Sequence, residues 1–183
     1  AANRVLTLLA QKEGKEFDAG GELAASGYVD EALLQQLNVL AYYGKAYPKS
    51  LANDFGTDEV FPLVEKGGLS TADALRTYTE HIAVQIKNSI SSYAGLTVAA
   101  PQKLLVTGGG AFNTFLIQRL QAHLQELQIE VVVPHEKIVA YKEALVMALI
   151  GVLRWRQEYN VLSSVTGAAR DSIGGALWIG QGA

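Results

Sequence analysis

The sequence predicts an α/β fold in which helix outweighs strand, and three features carry that expectation. The apolar run Leu104-Leu105-Val106 stops at Thr107 and the consecutive glycines Gly108, Gly109 and Gly110, and a helical pattern opens at Thr114. It reads as strand, tight turn, helix. A second β-rich run, Glu130 to Val133, follows that helix and completes a βαβ crossover if the two strands are parallel. Elsewhere helical periodicity dominates, so the parallel sheet is expected to be incomplete within these 183 residues.

Taken in order, Asn3 is placed to cap a first helix running to about Lys12, with Val5, Leu6, Leu8 and Leu9 on its apolar side, and Gly14 ends it. Phe17 to Gly27 is a small-residue segment, partly loop. Asp30 caps a helix from Glu31 to about Ala41, buried through Leu33, Leu34 and Leu37. From Tyr42 to Gly68 the pattern is irregular, with a short helix over Asp58 to Lys66 that tolerates Pro62 in its first turn. Ser70 and Asp73 form a capping-box pattern, and the helix they open reaches Ser92 with Leu75, Tyr78, Ile82, Ile86 and Ile90 as its core stripe. Past a linker from Gly95 to Pro101 come a strand over Lys103 to Thr107, a helix over Thr114 to Gln128, a strand over Glu130 to Val133 and a helix over Tyr141 to Tyr159. Ile173 to Ile179 reads as a short strand or a packed tail.

Composition excludes more than it identifies. The formal net charge is −3 with no basic block, which gives no footprint for nucleic acid or an acidic membrane surface. Cysteine is absent, so disulfides and thiolate metal sites are excluded. No signal peptide pattern stands at the start, and no apolar run approaches the roughly 20 residues of a membrane span; a cytoplasmic protein is expected. His81, His123 and His135 lack ligand spacing and read as surface or helix residues, so no metal site is expected. Trp155 and Trp178 read as core or interface anchors. Met147 is the only methionine and the chain begins Ala1-Ala2, which suggests a processed or clipped boundary.

The glycine turn is the first candidate site. Consecutive glycines at a strand-to-helix junction permit φ > 0 and a close ligand approach, and the free N–H groups of a helix start favour an anion, with a nucleotide the natural candidate. The same glycines serve equally to pack a helix against a strand.

Four more motifs stand around it: Asp18-Ala19-Gly20-Gly21, Tyr47-Pro48-Lys49-Ser50, Lys142-Glu143-Ala144-Leu145, and Ser163-Ser164-Val165-Thr166-Gly167-Ala168-Ala169-Arg170 followed by Gly174-Gly175-Ala176. With the turn from Gly108 to Asn113 they occur in the order found in anhydro-N-acetylmuramic acid kinases, and over nearly the whole chain the sequence resembles that family. The resemblance implies an actin-like, sugar-kinase and Hsp70-like fold of two ribonuclease-H-like lobes. Residues 1–183 would be most of the second, C-terminal lobe, and the first lobe and the opening strands of this lobe would be missing.

The implied reaction is ATP-dependent conversion of 1,6-anhydro-N-acetylmuramic acid to N-acetylmuramic acid 6-phosphate in cell-wall recycling, with Mg²⁺ on the nucleotide. Ala2-Asn3 looks like the tail of the motif that carries the general-base aspartate, which would then lie just upstream of Ala1. No catalytic residue would remain in this chain, and alone it would be inactive. By the same resemblance Thr107, Gly108, Gly109, Gly110, Ala111 and Asn113 would bind ATP or ADP, while Glu143, Asn3 and Lys49 would touch the anhydrosugar. Thr166, Gly167 and Arg170 would shape the far wall of the nucleotide pocket.

Two departures stand out. Leu51-Ala52-Asn53-Asp54 replaces the family's Thr-Gly-Arg-Glu, and Tyr141-Lys142 stands where acidic residues are common, so another anhydrosugar, as in levoglucosan kinases, is the alternative substrate. A non-catalytic nucleotide-binding or structural module of the actin-like fold is the alternative function, and an unrelated α/β interaction domain a third. Partners implied are the missing N-terminal half and a second copy in a homodimer, and the truncated sheet is expected to self-associate.

Overall fold

The computed structural model describes residues 2–46, 49–52, 54–92, 102–178 and 180. The chain divides into two compact units, Ala1–Pro134 and His135–Ala183. The expected linker from Gly95 to Pro101 lies outside the described residues, as does Ile179 at the end of the expected last strand.

In the first unit, helix α1 (Ala2–Gln11) buries Val5, Leu6 and Leu9, and α2 (Glu22–Ser26) and α3 (Glu31–Asn38) follow. Asp30 caps α3 as expected by accepting from Leu33 N–H at 2.7 Å. Asn3 corrects the expectation: it lies inside α1 and does not precede it, because the helix already includes Ala2. A wide turn over Gly56–Val60 runs into α4 (Phe61–Lys66), with Pro62 in its first turn, where a missing N–H costs nothing. Helix α5 (Thr71–Ser91) opens at the expected capping box, with Ser70 Oγ accepting from Asp73 N–H at 3.1 Å.

Helix α5 is the spine of the unit. Its N-terminal half buries Leu75 and Tyr78 among Val5, Leu9, Leu33, Leu37 and Val64. Farther along the same stripe, Ile86 and Ile90 pack on a second cluster of Leu120, Leu124 and Ile129. The predicted stripe is therefore core from end to end, and it joins two hydrophobic clusters through one helix.

Strand β1 (Gln102–Leu105), helix α6 (Thr114–Leu124) and strand β2 (Ile129–Val132) form the predicted parallel βαβ unit, in register from Gln102 opposite Ile129 to Leu105 opposite Val132. Helix α6 ends four residues before the expected Gln128. One turn of 3₁₀ helix follows it, and Gln128 takes a left-handed conformation that turns the chain into β2. Parallel pairs are stable when covered on both faces. Here α6 covers one, and Leu105 is exposed.

Two polar networks tie the helices. Glu80 on α5 is 7 % exposed and receives Arg119 Nε at 2.8 Å and Nη2 at 2.9 Å, while His123 Nε2 stands 2.5 Å from its other side. Burial by itself would raise the Glu80 carboxyl, but the bonds from Arg119 and His123 outweigh it and hold the group below its ordinary range. His81, expected at a helix or surface position, is on α5 but wholly buried. Its Nδ1 donates to Asn38 Oδ1 at 2.7 Å and its Nε2 accepts from the Tyr43 hydroxyl at 2.9 Å, an arrangement that requires the neutral ring. Burial pushes the imidazole down to about 4 and the Tyr43 phenol up to about 12.

The second unit is one long helix and a clasp. Helix α7 (Glu136–Trp155) starts five residues before the expected Tyr141, because His135 caps it through Nδ1. Of α7 only Val139 is buried, and Tyr141, Leu145, Met147 and Trp155 are exposed. Trp178 is 91 % exposed, so neither tryptophan is a core residue of this chain. Of the two alternatives for the segment from Ile173, a short strand or a packed tail, the described residues form no strand; a lone antiparallel bridge joins Val161 with Ser172, and Asn160 secures it by accepting from Gly174 N–H at 2.7 Å. Within this clasp lies α8 (Ser163–Thr166), whose Ser163 donates from both N and Oγ to Asp171, at 2.7 and 2.6 Å.

Acid should loosen the first unit in two steps. His81 has a folded pKa below its unfolded value of 6.5, so its contribution is complete above about pH 6.5 and fades toward pH 4. Glu80, also depressed, contributes above its ordinary 4.5 and fails below it. Chemical denaturation across pH should show a decline between pH 6.5 and 4 that His81→Gln flattens. An unchanged slope in that variant would remove His81 from the account. Arg119→Ala should cost about 2 kcal/mol at neutral pH by orphaning a buried carboxylate.

Candidate functional site

The glycine turn is built by what surrounds it. Gly108 follows β1 and precedes the next turn at φ 82° and ψ −178°, a conformation open almost only to glycine, and nothing lies within 4 Å of where its Cβ would be. The chain then makes a 3₁₀ turn over Gly109–Phe112, burying Ala111, before Asn113 starts α6 by accepting from Leu116 N–H at 2.9 Å. Gly109 and Gly110 are small for a different reason. A Cβ on either would meet the Asn3 side chain, at 3.1 Å from Nδ2 and 3.2 Å from Oδ1. The amide of Asn3 lies across the turn, so the residue expected to cap α1 instead closes one wall of the site.

The second glycine motif docks on the same helix start. Asp18 is buried and accepts from Leu23 N–H at 2.9 Å and Ala24 N–H at 3.0 Å, which fixes the first turn of α2. Gly20 carbonyl accepts from Thr114 Oγ1 at 2.9 Å. At Gly21 a Cβ would overlap Asn113 Oδ1 and stand 2.6 Å from Phe115 Cβ, and its φ is +78°. Two motifs more than 90 residues apart thus interlock backbone to side chain.

Between them opens a cavity of about 450 Å³, a size that suits a small molecule. Asn3, Leu6 and Thr7 of α1 form one wall, Phe17, Asp18 and Gly20 the next, and Gly109, Gly110, Phe112 and Asn113 close it. Of the predicted nucleotide contacts, the structure brings Gly109, Gly110 and Asn113 to this cavity together with Asn3. Thr107, Gly108 and Ala111 belong to the same turn but not to the lining. Phe17 and Phe112 were not singled out in the sequence; each is half exposed, at 57 % and 50 %, and only the fold shows that they share a cavity.

Lys49 is held elsewhere in the unit. Its Nζ donates to the Tyr43 carbonyl at 3.0 Å and stands 5.0 Å from the centre of the Tyr42 ring. Leu51, Ala52 and Asp54, which replace the expected motif, line a separate cavity of about 310 Å³ with Asp58 and Glu59; Asn53 lies outside the described residues. Glu143 is exposed on α7 of the second unit. Thr166, Gly167 and Arg170 lie in and after α8. Among the described residues no three His, Asp or Glu side chains are grouped to hold a metal ion, and no helix is long and apolar enough to cross a membrane.

The family model described as anhydro-N-acetylmuramic acid kinase matches residues 2–180. Relatives carrying that name include one from Variovorax paradoxus, 35% identical over 168 residues, which covers 90% of this chain and 44% of the relative. One from Synechococcus elongatus is 35% identical over 96% of this chain and 47% of its own length. Another, from Psychrobacter cryohalolentis, is 32% identical over 89% of this chain and 40% of its own. The chain therefore spans under half the length of these relatives.

Glycine positions separate by environment, which gives a test. Gly21→Ala should cost about 3 kcal/mol or more, since strain at positive φ adds to overlap with Asn113 and Phe115. Gly14→Ala, at φ +69° with open space around it, should cost only about 1 kcal/mol. Thermal denaturation of the two variants should rank them so, and equal losses would mean that the two glycine motifs do not interlock.

Proposed function

The chain belongs to the anhydro-N-acetylmuramic acid kinase family, and from that premise we propose that it is the larger part of the C-terminal lobe of an ATP-dependent anhydrosugar kinase with an actin-like fold. Its substrate is 1,6-anhydro-N-acetylmuramic acid and its product N-acetylmuramic acid 6-phosphate. The observation that carries the reading is the Asn3 amide lying across Gly109 and Gly110, because it joins a residue assigned to the sugar with residues assigned to the nucleotide at one cavity. A kinase must bring acceptor and donor into such reach.

In the reaction a base takes a proton from water as its oxygen bonds to the anomeric carbon. The bond from that carbon to O6 breaks, and O6 takes the γ-phosphoryl group of ATP as ADP leaves. The base is an aspartate outside this chain. Mg²⁺ supplies charge neutralisation at the phosphates when bound, and the described residues offer no carboxylate cluster for it. Gly109 and Gly110 admit the nucleotide without a Cβ, Asn3 and Glu143 hydrogen-bond the sugar, and the remaining half of the kinase completes the sheet beside β1. The intact protein works in the cytoplasm as a homodimer.

One observation favours a non-catalytic module: Lys49, assigned to the sugar, is engaged by the Tyr43 carbonyl. A chimera decides between them. This chain would replace the matching segment of the Variovorax paradoxus relative, and release of ADP would be followed with ATP, Mg²⁺ and the anhydrosugar. Turnover that falls at least tenfold in Glu143→Gln is expected. A folded chimera without turnover, beside an active parent, would sink the kinase reading.

A further inference from the structure

Helix α5 carries a buried polar group, His81, that has no part in the cavity at the glycine turn. The order of donors around it is fixed from one side. Asn38 Oδ1 receives two N–H groups, His81 Nδ1 at 2.7 Å and Gln85 Nε2 at 2.8 Å, so Nδ1 carries the ring proton and Nε2 is left as an acceptor. The Tyr43 hydroxyl, 2.9 Å away, therefore donates to it.

Through Tyr43 this anchor reaches Lys49. The Tyr43 ring meets His81, Tyr42 and Phe55 edge-on, with centroids 5.1, 5.4 and 6.1 Å apart. Its carbonyl accepts from Lys49 Nζ at 3.0 Å, and the same ammonium stands 5.0 Å from the centre of the Tyr42 ring. A lysine on its flexible stem loses rotamer freedom when it grips a ligand, and one already held loses less. A carbonyl and a ring hold it without cancelling its charge. Tyr42 and Ser50, the neighbour of Lys49, line the cavity of about 310 Å³, so the contacts that fix Tyr42, Tyr43 and Lys49 also fix a wall of that cavity.

We infer that His81 is a positioning residue: from the core of α5 it orients Tyr43, and Tyr43 in turn holds the Lys49 ammonium beside the wall that Tyr42 and Ser50 give the second cavity. What Lys49 meets there, an oxygen of the acceptor sugar, rests on the kinase reading; the coupling of His81 to Lys49 does not. The bond from Lys49 to the Tyr43 carbonyl is then the preorganised state of that lysine and not a sign of lost function.

Competitive acetylation of the 183-residue chain with acetic anhydride, read by mass spectrometry, compares Lys49 with the exposed Lys15. An amine that donates to a carbonyl and is covered by a ring reacts slowly. Tyr43→Phe removes the hydroxyl and keeps the ring, and it should raise Lys49 labelling about threefold. His81→Leu should do the same, while His81→Gln, which restores an acceptor at the position of Nε2, should not; circular dichroism checks that each variant is folded. In the chimera, Tyr43→Phe should raise KM for the anhydrosugar about fivefold and leave kcat and KM for ATP within about twofold. Combined with Lys49→Ala, it should add nothing to the effect of Lys49→Ala alone. Labelling of Lys49 that ignores Tyr43→Phe, or that rises equally in His81→Gln, overturns the inference, as does an active chimera in which kcat falls with Tyr43→Phe or the two losses add. An inactive chimera beside an intact labelling response removes the kinase reading and leaves the coupling standing, while an active chimera without that response removes this inference alone.

Discussion

The start of α6 is the constraint on which the site depends. One side-chain oxygen, Asn113 Oδ1, accepts the Leu116 N–H that begins the helix and also sets how close the Asp18–Gly21 turn can come. Thr114 completes the junction by bonding the Gly20 carbonyl. Because a cap needs its residue in an extended conformation just outside the helix, Asn113 also fixes where the glycine turn must end. Moving this junction would move the turn, the Asp18 loop and the cavity between them.

Behind the junction, α5 ties the first unit together. Its apolar stripe joins two core clusters, and its polar positions Glu80 and His81 sit on buried networks to α6 and α3. Buried charge is tolerated at Glu80 because a guanidinium meets it with two parallel bonds, and His81 is tolerated because it remains neutral. Such networks favour one helix arrangement over others, since any slip orphans several polar groups at once. The second unit is different in kind. Its clasp is closed by the short-range bonds of Asn160 and Asp171, while α7 leaves most of its apolar surface uncovered. A helix apolar on nearly all sides is built for burial; this chain spans under half the length of its relatives.

Much of the fold was legible from local chemistry. Asp30 and Ser70 marked helix starts correctly because caps are read within three residues, and the α5 stripe was legible because helical spacing and burial coincide. Element ends were less legible. Helix α7 begins earlier than its apolar pattern suggests because His135 supplies a cap the pattern does not require, and α6 ends early because Gln128 turns left-handed to meet β2. Trp155 and Trp178, expected as core or interface anchors, are exposed, which excludes the core alternative in this chain, since size and apolarity indicate a need for cover but not what covers.

By itself the sequence determined the family, the order of its motifs, the βαβ unit and the glycines that the turn requires, because each of these is written in neighbouring residues. Only the tertiary structure decided that Asn3 lies on Gly109 and Gly110, that Gly21 seats against Asn113, and that Phe17 and Phe112 line one cavity. Those contacts join residues about a hundred positions apart. Their geometry follows from the packing of α1, α2 and α6 around α5, and no local pattern encodes it.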